Sequence, residues 1–344
     1  MSAKDAAFPS TAVVAMLIAL EAPPVFLLAF GVEVWWVDAF AHFLPWLTLA
    51  LLIQAALLRH RVLSSFSIAA AGVLTGLMLT APTAEMAGRP MARCEGPPFR
   101  VIGFNVQYGS QDSVAIAQWL DAQQPDLAFF MEVTPAWDAV LRQAAAAQGL
   151  AYRSDPDPGL YGSALMSRLP LVDIAFVPHR RSLAKPQLVF DSRDRAVPPP
   201  EAPQLRAVVR IGGDLVAVGG AHLSFPLIPT THAMALEEID QIAAWTNDRM
   251  NDPTVAGVLL LGDFNSTHFS AILRRLKATT GLHSVIPVWP GTWPANLPIG
   301  IAIDHVVVSG RLRARSVAVG DDLGSDHRPV SADIVIELAT CPDA

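Results

Sequence analysis

Carboxylates, amides and imidazoles recur in this 344-residue chain at one kind of place, the boundary of a short apolar run. Asn105 follows the run 99–104, and Glu132 follows 127–131. His222 follows 216–221, and Asp263 and Asn265 follow 258–262. Asp304 opens the run 304–308, and Asp326 and His327 stand just ahead of Val330. These residue types suit chemistry at a phosphate ester. A hard divalent cation takes oxygen ligands and keeps several waters. In-line displacement at phosphorus needs the charge on the phosphoryl oxygens neutralised and a nucleophile held in place. A carboxylate on one imidazole nitrogen fixes the tautomer and raises the basicity of the other. Singly, each residue has a plainer reading: Asn105 as a strand-end cap, Glu132 as a solvated turn residue. No Cys/His cluster has the spacing of a structural zinc site.

Such side chains work only if rigid elements hold them, and strand ends do so. The runs 99–104, 127–130, 163–166, 205–211, 215–219, 258–261, 303–308 and 330–336 have the length and composition of strands. Helical patterning covers 114–123, 136–148, 232–249 and 270–279. The segment 179–203, rich in Arg and Pro and containing Pro198-Pro199-Pro200, is predicted to be a long surface loop. Strands and helices mixed in this way predict two sheets flanked by helices.

The pieces, taken in order, resemble the endonuclease/exonuclease/phosphatase superfamily. They are Phe104-Asn105-Val106, Pro125-Asp126 through Glu132, the stretch Tyr161 to Arg168, Ala221-His222-Leu223, Gly262-Asp263-Phe264-Asn265, Ile303-Asp304-His305 and Gly324-Ser325-Asp326-His327-Arg328-Pro329. Gly291-Thr292-Trp293-Pro294 further resembles a bacterial subgroup with N-terminal membrane helices, from which Ser110 departs where a second Asn is common. The resemblance implies an α+β fold, a DNase I-like four-layer α/β/β/α sandwich over 98–340, and a phosphoric ester hydrolase using Mg2+ or Mn2+. Glu132 would be the principal metal ligand, with Asn105 and Asp326 near the metal or phosphate. Asp263 and Asn265 would position the attacking water and phosphate oxygens. His327, oriented by Asp304, would polarise the phosphate or act as acid or base, and His222 would contact the phosphate and serve the leaving oxygen. His305 should face the other side of its strand. The first and last strands of this fold are antiparallel neighbours, so a Cys94–Cys341 disulfide is expected.

Charge and hydropathy add a second region. Mean hydropathy is +0.38 with 52% hydrophobic residues, and the excess lies in residues 1–82. Apolar stretches at 11–31, 39–58 and 63–81 are expected to span a membrane, the first interrupted by Glu21 and Pro23-Pro24. A cleaved signal peptide is the rival for the first stretch, and buried helices of a soluble protein the rival for all three. The basic Arg59-His60-Arg61 between the second and third stretches predicts a cytoplasmic loop. The remainder, after a linker at 83–97, would then lie on the periplasmic side of a bacterial inner membrane. Glu33 and Asp38 would lie in an outside loop. Lys4, Arg59, Arg61, Arg89 and Arg93 cancel Asp5, Glu21, Glu33, Asp38 and Glu85, so the domain from residue 95 carries the whole net charge of −7. An acidic domain argues against a grip on nucleic acid. The expected activity is phosphodiester hydrolysis on a lipid headgroup or other small phosphoester. The alternatives are a membrane-tethered nuclease and a catalytically silent scaffold.

Overall fold

A computed structural model of the chain describes residues 34–57, 61–80, 94–110, 113–179, 189–190, 196–197, 203–297 and 299–338, with Met16, Val25, Leu27 and Leu28. Most of the stretch 11–31, most of the linker, most of the predicted loop 179–203, and Cys341 lie outside the described residues.

Chain order from residue 99 runs β1 (Phe99–Asn105), α4 (Ser113–Gln123), β2 (Leu127–Met131), α5 (Pro135–Ala147), β3 (Ala151–Asp155), β4 (Ser163–Ser167) and β5 (Leu171–Val177). After the short pair β6 (Val189–Phe190) and β7 (Ala196–Val197) come β8 (Gln204–Ile211), β9 (Asp214–His222), α6 (Pro229–Met250), β10 (Val255–Asp263) and α7 (Ala271–Thr280). The chain closes with β11 (His283–Ser284), β12 (Asp304–Val308), β13 (Leu312–Val319) and β14 (Val330–Ile336). They form two six-stranded sheets, ordered β13-β14-β1-β2-β4-β3 and β11-β12-β10-β9-β8-β5.

The packing follows from strand periodicity. In β2, Leu127, Phe129 and Met131 point into the core between the sheets, where Leu205, Val218, Leu259 and Val306 meet them. Ala128 and Phe130 point to the other face, against Ile116 and Leu120 of α4 and Leu141 of α5. The second sheet is covered outside by Ile239 and Ile242 of α6 and Ile272 and Leu276 of α7. A strand buried on both faces reads as a continuous apolar run, which is why these runs stand out in the sequence. The layers are α/β/β/α, as expected. β1 lies parallel to β2 and antiparallel to β14, with Phe99 opposite Ile334. Beyond that pair Glu95 bridges Glu337, and the Leu338 N–H donates to the Cys94 carbonyl at 3.1 Å. Cys94 is disulfide-bonded, and Cys341 is the only other cysteine in the chain.

The N-terminal region differs from its prediction in one respect that bears on the site. Helices α1 (Trp35–Ala41), α2 (Leu44–Leu57) and α3 (Arg61–Thr80) occupy it. The predicted span 39–58 is not one helix, because it bends by 73° between α1 and α2. Among the described residues no single helix is long and apolar enough to cross a membrane, although this bent pair passes by length and composition, and Ser64–Met78 is a shorter apolar helix. Asp38, expected in an exposed acidic loop, is buried on α1. Its Oδ1 accepts the Ala271 N–H at the start of α7 (2.5 Å), and its Oδ2 lies 3.3 Å from His232 Nε2 on α6. One turn on, His42 Nδ1 accepts the Thr267 N–H at 3.2 Å. Burial of a carboxylate is tolerable only with such partners, and these lie about two hundred residues away in sequence. Residues 35–46 are therefore part of the packing of the sandwich.

Candidate active site

The parallel pairs β1/β2 and β9/β10 end at the same edge of the sandwich. In register, Asp263 is flanked by His222 on β9 and by Asp304 on β12, and Asn105 on β1 lies opposite Met131, one residue before Glu132. The backbone here is shaped to present side chains. Glu132 and Asn265 adopt left-handed conformations, with φ of 59° and 48°. Asn tolerates this region, whereas Glu does so at a cost of about 1–3 kcal/mol, and such strain clusters at functional sites. Gly262 has φ 142°, and a Cβ there would lie 1.9 Å from the Ala221 carbonyl oxygen, so only glycine fits between β9 and the catalytic turn.

These ends line a cleft of about 430 Å³ that exposes Glu132, His222, Asp263, Asn265, Asp326 and His327. His327 Nδ1 hydrogen-bonds Asp304 Oδ2 at 2.9 Å, and its Nε2 lies 3.6 Å from Asp263 Oδ2. Burial works against the imidazolium, yet the carboxylates of Asp304 and Asp263 outweigh it and raise the His327 pKa to about 10. Burial raises Asp263 to about 6, opposed by His327 and His222 and reinforced by Asp304. His222 Nε2 is 3.8 Å from Asp263 Oδ2 and 4.0 Å from Glu132 Oε1, and its Nδ1 has no hydrogen-bond partner among the described residues. Asn265 fixes the turn: its N–H donates to Asp263 Oδ1 (2.7 Å) and its side-chain amide to the Leu223 carbonyl (2.8 Å).

Two predicted site residues stand behind this front. Asn105 is fully buried. Its amide donates to Glu132 Oε1 (2.9 Å) and Asp263 Oδ2 (3.3 Å), and its Oδ1 accepts the Gln107 N–H. It ties the two sheets together at the site without facing the cleft. Asp304 is likewise buried and reaches the cleft only through His327. Trp293 and Thr292 are functional neighbours that sequence reasoning gave no role. The Trp293 indole N–H donates to Asp326 Oδ2 at 3.3 Å, and Thr292 Oγ1 accepts the N–H groups of Ile303 and Asp304. Their signal was present in Gly291-Thr292-Trp293-Pro294, but nothing local reveals which strand end that segment abuts. Tyr161 lines the cleft, whereas Arg168 pairs with Asp126 at 3.7 Å, where β4 meets the start of β2. His305 faces away, as expected, bonded to Ser284 and the Ser266 carbonyl.

The donor set fits a divalent cation. Three carboxylates, Glu132, Asp263 and Asp326, border the cleft, and no Lys or Arg is among the described residues that line it, so a cation is the natural neutralising partner. Each Glu132 oxygen accepts one N–H, from Asn105 or from Tyr108, which orients it and leaves lone pairs free. Asp263, Asp304 and His327 also bring one donor atom each within 4.8 Å of one another.

Known proteins place this geometry. Residues 102–327 match the model of the Endonuclease/Exonuclease/phosphatase family. None of the curated proteins compared matches the chain. Among solved structures, an endonuclease/exonuclease/phosphatase family protein from Bacteroides thetaiotaomicron superposes with TM-score 0.55 at 16% identity, covering 71% of this chain and 100% of its own. ANGEL2, a 2',3'-cyclic phosphatase, gives 0.52 at 15%, covering 72% and 97%. D. rerio TDP2 complexed with single strand DNA product gives 0.50 at 17%, covering 70% and 99%. At these identities the structures speak for the fold, while the family match spans most of the chain and all the strand-end residues described above. The chain belongs to the endonuclease/exonuclease/phosphatase family.

Proposed function

We propose that the protein is a divalent-metal-dependent phosphodiesterase, anchored in a membrane, with its active site on the extracytoplasmic side and a lipid headgroup or other small phosphoester as substrate. The observation that carries the hydrolase reading is the convergence of Glu132, Asp263, His222, His327 and Asp326 on one cleft. A cation held by Glu132 and Asp326 would supply charge neutralisation of the phosphoryl oxygens. His327, protonated at neutral pH and held by Asp304, donates from Nε2 to a phosphoryl oxygen. Asp263, with a pKa of about 6, accepts the proton of the attacking water. As the ester P–O bond breaks, His222 gives its proton to the leaving oxygen. Asn105 holds Glu132 and Asp263 in register throughout.

Several observations support the anchor and its orientation. Helices α2 and α3 expose Leu49, Leu52, Ile53, Ile68 and Val73. The domain packs on the bent pair at residues 38–46, and the basic Arg59-His60-Arg61 follows that pair in the sequence. A disulfide at Cys94 suits an oxidising compartment. The net charge of −7 carried by the domain from residue 95 supports a small ester over a nucleic-acid backbone.

The test uses the full chain in detergent or nanodiscs, since α1 completes the packing beneath α6 and α7. Hydrolysis of bis-p-nitrophenyl phosphate, p-nitrophenyl phosphate, phospholipid vesicles and plasmid DNA is measured with and without Mg2+ or Mn2+. Metal-dependent turnover abolished by His327→Ala establishes the enzyme, and the preferred substrate chooses among the classes. A folded protein that binds metal and hydrolyses none of them would favour the silent scaffold.

A further inference from the structure

Two segments that wall the cleft are free of Asp, Glu, Lys and Arg: residues 223–236 and residues 284–303. In a domain with a net charge of −7 this is an unusual border for an active site. Leu223, Phe225 and Met234 from the first and Trp293 and Ile303 from the second form the apolar wall. Outside the cleft the same segments carry large apolar side chains into solvent: Phe225 is 48% exposed, Ile228 51%, Trp289 53% and Ile299 57%, with Leu227 and Leu297 also exposed. Large exposed apolar side chains gathered in two segments beside one site mark an interaction surface rather than scatter.

Both segments are pinned to the N-terminal helices. His232, four residues beyond Ile228, meets Asp38 of α1 at 3.3 Å. Trp289 packs edge-on against Trp46 of α2, with ring centroids 5.8 Å apart, and Val288 packs on the cluster containing Val37, Leu44 and Phe269. The Trp46–Trp289 contact thus joins α2, which carries exposed apolar side chains, to a segment that walls the cleft. An uncharged, aromatic-bearing rim joined to apolar helices matches a bilayer interface, where apolar side chains sink into the headgroup boundary.

We infer that the rim formed by Phe225, Leu227, Ile228, Leu297 and Ile299 sits in the membrane interface. The site then takes a phosphoester lipid directly from the bilayer, with its acyl chains left among these side chains. The inference rests on the proposed function, whose hydrolase and anchor it assumes, and deepens it by naming the subsite and the source of substrate. It is tested without turnover first. Full-length protein carrying Ile228→Trp or Ile299→Trp is placed in nanodiscs of acyl-brominated phosphatidylcholine, and the added fluorescence is compared with that of Val172→Trp. Val172 is 51% exposed on β5 at the far end of the second sheet, where Leu171 pairs Val209 and Val209 pairs Val216.

Bromolipid should quench the fluorescence added by Ile228→Trp and Ile299→Trp and leave that added by Val172→Trp unaffected. Equal quenching at all three positions, or cross-linking of two copies through position 228, overturns the inference. Leu227→Asp combined with Ile299→Asp should then lower the ratio of turnover on phosphatidylethanolamine–phosphatidylglycerol vesicles to turnover of bis-p-nitrophenyl phosphate at least tenfold. An unchanged ratio overturns the inference, as does a wild type active on the soluble diester alone. No turnover of either substrate would remove the phosphoesterase reading itself and take this inference with it.

Discussion

The buried pairs Asp304–His327 and Asp38–His232 do different work in this molecule. Asp304 and His327 join neighbouring strand ends at 2.9 Å in hydrogen-bonding geometry, and His327 turns its other nitrogen to the cleft. Asp38 and His232 join an N-terminal helix to α6 at 3.3 Å, without hydrogen-bonding geometry between the two atoms, sealed among Ala271, Thr267 and His42. The residue types are the same and both carboxylates are buried. Both imidazoles are 5% exposed, and what separates them is where that surface lies: His327 lines the cleft beside Glu132, Asp263 and Asp326, and His232 is not among the cleft-lining residues. A carboxylate–imidazole pair becomes chemistry only where a substrate can reach it.

Substitutions separate the cleft from the buried packing pair. The largest effect belongs to the cleft itself. Glu132→Gln should lower kcat by at least about a hundredfold, the scale of losing a charge-stabilising group. It should also weaken Mg2+ or Mn2+ binding in calorimetry. Unchanged metal affinity would move the cation site to the other carboxylates.

Asp304→Asn and Asp38→Asn set the two pairs side by side. The first should cost about ten- to a hundredfold in kcat, because His327 loses its orienting carboxylate. The second should leave kcat near the wild-type value and cost about 3 kcal/mol of stability, the scale of breaking a buried pair, read as a lower Tm. Equal losses of kcat in both variants would abolish the distinction.

A smaller effect is expected in pH dependence. The His327 pKa is raised in the folded state, from 6.5 to about 10. The native state therefore binds more protons than the unfolded state between these values. Its stabilisation is complete below pH 6.5 and is lost as pH rises through about 10. In metal-free protein Tm should fall over this window, and Asp304→Asn should flatten the fall. Asp263, raised from 3.8 to about 6, adds a loss of the same sign as pH rises through its lower window. A Tm that rises from pH 7 to 10 would contradict the assignment of His327 as an imidazolium.

The smallest effect is Thr292→Val. It removes the hydroxyl that accepts the N–H groups of Ile303 and Asp304, at about 1–3 kcal/mol of stability for the unpaired buried groups. The site should lose only a few-fold in kcat if the strand holds Asp304 in place.

Sequence alone determined the strands buried on both faces and the residues at their ends, and it missed β3, β5 and β13, whose half-exposed runs are not continuously apolar. A strand buried on both faces must be written as an apolar run, so Leu127–Met131 announces itself, and the polar residue that ends it, Glu132, is conspicuous for the same reason. The order of these strand-end residues carried the family and with it the four layers. Local pattern could not rank the residues by depth. Asn105 and Asp304 read like Glu132 and Asp263, yet register and sheet stacking put them behind the cleft, because Asn105 must reach both Glu132 and Asp263 across the two sheets. Nor could it place Asp38, whose hydropathy context is that of a loop between apolar stretches. Only the tertiary structure supplies Ala271 and His232 as its partners. Periodicity is a property of neighbours in the chain, and so sequence shows it. Depth, pairing and access depend on neighbours in space, and the packing of the two sheets and the N-terminal helices decided them.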